Sequence, residues 1–139
     1  MIDQAFSNYK ELDSIVLPTA NFVKLEGDMI WVKYKPLEEE FTLEDAKRHS
    51  KALSELDGGV PKHLIIDFRG VEVNFSNEAR EYFAKSQDHS SLRKSQALII
   101  DSLAHKLVAN FYKKFNKPDC PVMIFNSPKD AVEWIESLK

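Results

Sequence analysis

Asp67 closes the apolar run His63-Leu64-Ile65-Ile66, Ser76 follows it across a short loop, and His89 and His105 lie further on. A serine, a histidine and an aspartate can form a nucleophilic triad, and open α/β sheets gather ligands at the C-terminal ends of their strands. The surroundings of these residues speak against it. The chain has no Gly-x-Ser-x-Gly elbow, no Gly-x-Gly-x-x-Gly fingerprint and no Gly-x-x-x-x-Gly-Lys loop, and it holds only four glycines in 139 residues, which excludes the usual phosphate cradles. Asp67 is better read as an acceptor for loop amides than as a base. Ser76 stands just before a helical pattern, where serine ordinarily caps. No catalytic residue is assigned, and the expectation is a protein that is not an enzyme. The four histidines lack metal-ligand spacing and Cys120 is the single cysteine, so neither a metal, a disulfide nor a cofactor is expected.

Composition sets the wider limits. A chain of 139 residues, 43% apolar and 29% charged, suits one domain with its own core. Apolar runs such as Ala97 to Ile100 fall far short of the ~20 residues that a membrane-spanning helix needs. Asp3, Gln4, Ser7 and Asn8 interrupt any secretory apolar core, and the expected location is cytoplasmic. Charge is uneven. Residues 1–60 carry 7 Lys and Arg against 12 Asp and Glu, whereas residues 85–117 carry 7 against 2. That second stretch is a candidate basic patch through Lys106, Lys113 and Lys114. Cations at a helix C-terminus explain Lys113, Lys114 and Lys117 more simply, and the acidity of the chain argues against nucleic acid as a partner.

The elements that position these residues follow from periodicity. Phe22-Val23-Lys24-Leu25 and Met29 to Tyr34 read as a hairpin around Glu26-Gly27-Asp28, closed by Pro36. Thr42 to Leu56 reads as a helix capped by Thr42 with Asp45 three residues on and ended by Gly58-Gly59. His49 lies on its apolar face and is expected to be hydrogen-bonded there. His63 to Phe68 lacks alternation, as a central strand covered on both faces should. A helix begins near Ser76 or Asn77, a strand runs from Gln96 to Ile100, and Leu103, Leu107, Phe111 and Phe115 mark another helix. Val122 to Phe125 is a strand, and Ser127-Pro128-Lys129-Asp130 opens the last helix. Strands alternating with helices predict a mixed, mainly parallel sheet of about five strands with an N-terminal hairpin and about four helices, an α/β fold. Residues 21–139 form that domain. Residues 1–20 form an extension in which Ile2, Phe6, Tyr9, Leu12 and Val16 suggest an amphipathic helix. Glu38-Glu39-Glu40 reads as a solvated loop.

This order, together with Ile65-Ile66-Asp67-Phe68-Arg69-Gly70-Val71-Glu72-Val73-Asn74-Phe75-Ser76-Asn77-Glu78, resembles the STAS domains, the fold of bacterial anti-sigma-factor antagonists. It is similar in particular to the SpoIIAA-like group of STAS-related bacterial proteins. The resemblance implies a regulatory module that docks a protein partner or itself through a loop comprising Asp67, Arg69, Asn74, Ser76, Asn77 and Glu78, whose backbone amides at a helix N-terminus also suit an anion. In the antagonists this loop carries Asp-Ser-Ser-Gly or Asp-Ser-Thr-Gly, whose second hydroxyl residue is phosphorylated. Phe75, Ser76, Asn77 and Glu78 stand in those places here, so the resemblance implies the surface without the standard switch. A phosphate on Ser76 would also meet Glu78, a like charge.

Nine phenylalanines, four tyrosines and two tryptophans suggest a second reading, an apolar pocket for a lipid-like ligand. Tyr82, Phe83 and Phe111 are its candidate walls, with Lys106 and Lys113 for an acidic headgroup. Core packing competes for the same rings.

Overall fold

The structure is a computed structural model that describes residues 4–85, 93–102 and 120–139. Six strands form one sheet in chain order: β1 (Glu11–Val16), β2 (Ala20–Leu25), β3 (Met29–Tyr34), β4 (Lys62–Asp67), β5 (Arg93–Ile99) and β6 (Val122–Phe125). The pairings β1·β2 and β2·β3 are antiparallel, and the three that follow are parallel. The helices among the described residues are α1 (Leu43–Asp57), α2 (Asn77–Lys85) and α3 (Pro128–Ser137), preceded by a 3-10 turn at Gln4–Phe6. The helix expected from Leu103 to Phe115 lies outside the described residues.

Local chemistry explains most of these boundaries. The side chain of Thr42 accepts from the Asp45 amide while the Asp45 carboxylate accepts from the Thr42 amide, and Gly58 closes α1 at φ 60°, a left-handed position that favours glycine. Ser127 caps α3 and Pro128 opens it. Gly27 at φ 82° and Asp28 at φ 60° turn the β2–β3 hairpin, as the Glu26-Gly27-Asp28 triplet predicts.

The sheet separates two cores. On one face, Phe22, Ile30, Val32, Tyr34 and Leu64 pack against Ala46, Ala52 and Leu56 of α1 and Ala79 of α2. On the other, Leu25, Met29, Trp31, Ile65, Ala97 and Ile99 pack against Ala131, Val132 and Ile135 of α3 and against Phe6. Alternate residues of β3 and β4 feed both cores, which is why the His63 to Phe68 run shows no polar face.

Two expectations are corrected. Residues 11–16 are a strand and not part of an amphipathic helix, so among the described residues the sheet has six strands instead of about five. Leu17 donates its amide to the Ala20 carbonyl at 2.9 Å, and that turn folds β1 back onto β2. The helical spacing of Phe6, Tyr9, Leu12 and Val16 is coincidental, since Phe6 is buried while Leu12 and Val16 remain 51% and 70% exposed.

Candidate functional site

The end of β4 places Asp67 in the centre of the sheet, fully buried. Its carboxylate accepts from Trp31 Nε1 at 3.0 Å, from the Arg69 amide at 3.0 Å and from Arg69 Nη2 at 2.7 Å. Arg69 Nε adds a further bond to Oδ1 at 3.0 Å. A carboxylate so occupied is a structural hub that fixes the first residues of the loop. The expected bond to a loop amide is present, and two partners join it that spacing along the chain does not reveal. Trp31 reaches Asp67 because β3 and β4 pair in a register that sets Lys33 beside Asp67. Lys33 then donates Nζ to the Arg69 carbonyl at 2.7 Å, and Asp101 accepts the Gly70 amide at 2.9 Å.

The second half of the loop is held from a different direction. Phe41 and Phe75 form an isolated parallel bridge, in which Phe41 donates to the Asn74 carbonyl at 2.8 Å and Ser76 donates to the Phe41 carbonyl at 2.9 Å. The exposed Glu38-Glu39-Glu40 segment is thereby brought alongside exposed Glu72, Asn74, Asn77 and Glu78. The result is an acidic rim.

Ser76 is buried, and its Oγ accepts the Ala79 amide at 3.0 Å, the geometry of an N-cap. Asn77 Oδ1 accepts from Arg80 Nη2 at 2.9 Å. Glu78 lies in the first turn of α2, where a negative charge complements the exposed amides. Asp67, Arg69, Asn74, Ser76, Asn77 and Glu78 therefore lie along one continuous segment, with Asp67 at the end of β4, Arg69, Asn74 and Ser76 in the loop, and Asn77 and Glu78 opening α2.

Beneath the same loop, aromatic rings surround His49. The centroids of Phe22 and Phe41 lie 4.9 Å from the His49 ring and that of Tyr34 lies 5.2 Å away. Nε2 of His49 is 2.6 Å from Thr19 Oγ1, so the histidine is hydrogen-bonded on its apolar face as expected. Burial lowers its pKa to about 4 and pushes the Tyr34 phenol well above its ordinary value. Phe83 packs against Phe41 at 6.0 Å and Phe75 at 6.3 Å, with Tyr82 beside it at 6.1 Å. Both rings thus contribute to the core under α1 and α2. Phe111, Lys106, Lys113 and Lys114 lie outside the described residues, as do His89 and His105. Among the described residues no group of His, Cys, Asp and Glu is arranged to hold a metal ion, and no helix is long and apolar enough to cross a membrane.

A sheet in this order, with α1 and α2 on one face and α3 on the other, is an α/β domain with a SpoIIAA-like fold. The structure is similar to that of an uncharacterized protein of the DUF3478 family with a SpoIIAA-like fold from Shewanella loihica PV-4. The match has a TM-score of 0.58 at 15% sequence identity and covers 91% of this chain and 94% of the other. The chain itself belongs to DUF7793, a family of domains of unknown function that matches residues 23–139. No curated protein matches it.

Proposed function

We propose that this domain is a non-enzymatic, regulatory protein-interaction module of the anti-sigma-factor-antagonist type that works without the standard phosphorylation switch. The observation that carries the reading is the state of the Ser76 hydroxyl, buried and bonded to the Ala79 amide. A kinase reaching it would have to unwind the first turn of α2, and the product would stand beside Glu78. Asn77 follows in the place of the phosphorylated residue and offers no hydroxyl. The hydrogen bonds of Asp67 support a non-enzymatic reading in the same way, because a general base needs a free lone pair within reach of substrate. What the loop offers outward is a rigid rim carrying Glu72, Glu78 and the neighbouring Glu38-Glu39-Glu40. Such a rim favours a partner with a basic docking surface, since complementary charge sets encounter and orientation.

Site-specific photo-cross-linking tests this reading. A photoreactive residue at Glu72 or Glu78, in the full chain expressed in its own host, is expected to capture a defined protein. The same residue at exposed Glu133, on α3 across the sheet, is expected to capture none. Equal capture at both places, or none at either loop position, would overturn it.

A further inference from the structure

β1 is an edge strand whose outer side meets no other strand among the described residues. The bond from the Leu17 amide to Ala20 fixes the alternation along β1, so Ile15 and Asp13 point their backbone groups toward β2 while Ser14 and Val16 point theirs outward. The strand also carries two of the most exposed large apolar side chains of the described residues, Leu12 at 51% and Val16 at 70%. Backbone groups that face no neighbouring strand, beside exposed apolar side chains, form a template for strand addition.

From these observations we infer that β1 pairs antiparallel with β1 of a second copy, about a two-fold axis at Ser14. The inference rests on the reading of the domain as a protein-binding module and gives it one definite occupant. A two-fold axis perpendicular to the sheet keeps like faces together, so each residue must meet one of the same parity in the partner strand. Centring on Leu12 sets Glu11 against Asp13, and centring on Asp13 sets that acid against its own copy. Like charges directly opposite are destabilising. Centring on Ser14 sets Leu12 against Val16 of the second copy, twice, and sets Asp13 against Ile15. It removes both exposed apolar side chains from water and sets no acid directly opposite another acid. Of these three registers, the one centred on Ser14 suits the chemistry of the strand best.

The edge is guarded at its N-terminal half. The register shifts between Glu11 and Asp13, which makes Leu12 the extra residue of a bulge. The Asp13 carboxylate accepts the Ser14 amide at 2.8 Å. Pairing transfers that amide to the Ser14 carbonyl of the second copy, so Asp13 competes with dimerisation and keeps it weak. A short edge-to-edge contact of this kind falls at the low end of interface size, where association is weak.

Sedimentation equilibrium on the full chain, from about 10 µM to about 1 mM, a range that spans weak association, reads the result. The wild type is expected to dimerise reversibly and Val16→Lys to raise Kd by about tenfold or more. Asp13→Asn, which weakens the competing acceptor, is expected to lower it several-fold. Both side chains are exposed at the edge, so circular dichroism should remain that of the wild type. A wild type that stays monomeric throughout, a Val16→Lys variant with unchanged Kd, or cross-links joining β1 of one copy to β6 of another would each overturn the pairing. Capture of a partner by the loop positions above, with a monomeric chain, would sink the pairing alone and leave the interaction reading standing.

Discussion

Replacing Asp67 with alanine is expected to destabilise the fold by about 3 kcal/mol, near the lower end of what breaking a buried ion pair costs. The loss has two sources. The Trp31 indole N–H is left buried without its acceptor, and the Arg69 guanidinium, 27% exposed, loses the carboxylate that it contacts through Nε and Nη2. An unsatisfied buried donor alone costs about 1–3 kcal/mol. Partial exposure of Arg69 lets water take up some of its charge, which is why the figure stays below the upper end of the range. Asp67→Asn keeps an oxygen for Trp31 and is expected to cost about 2 kcal/mol, as a hydrogen bond to a charged group does. Urea unfolding with an unchanged m-value measures both. A cost below about 1 kcal/mol for the alanine variant would mean that Asp67 is not the hub of the loop.

Acidification from pH 6.5 to pH 4 is expected to remove about 3 kcal/mol of stability through His49 alone, at about 1.4 kcal/mol per unit of pKa difference. Burial among Phe22, Tyr34 and Phe41 holds the folded imidazole at about 4 against its ordinary 6.5. Between those values the unfolded chain binds a proton that the folded chain refuses. Stability therefore rises with pH across the window, is complete above about 6.5 and is lost toward 4. His63 is also lowered by burial, and by Lys94 and Lys139, and it tilts the curve in the same direction. Asp28, held at about 2 by hydrogen bonds from Lys62 and Lys94, acts below this window. The contribution of His49 is isolated by difference. His49→Gln should flatten the slope between pH 4 and 6.5, and an unchanged slope would contradict the buried, neutral imidazole.

These two residues also show what a sequence discloses and what it withholds. Signals confined to a few neighbouring positions were legible: the Thr42 and Asp45 caps, Gly58, the Ser127-Pro128 start and Ser76 before α2 all lie where local chemistry requires. The continuous apolar run into Asp67 marked a strand covered on both faces, and the order of elements carried the fold class. β1 was illegible because an edge strand with only Ile15 packed against the core has too little buried face to impose alternation. Its few apolar residues happened to fall at helical spacing. The partners of Asp67 were hidden for a different reason. Trp31 lies 36 residues away, and only the register of β3 on β4 brings it there. The same holds for the acidic rim, since Glu38-Glu39-Glu40 reads as a solvated loop until the Phe41·Phe75 bridge seats it beside Asn74.

The central claim is that the loop from Asp67 to Glu78 is a fixed docking surface and not a phosphorylation switch. A native mass spectrum of the full chain, purified gently from its own host, tests this most directly, because covalent phosphate, retained small molecules and bound protein all appear as mass. The expected mass is that of a chain without phosphate on Ser76 and without a small-molecule adduct, alone or with protein bound. Stoichiometric phosphate on Ser76 would contradict it, and a retained apolar molecule would move the function to a ligand pocket.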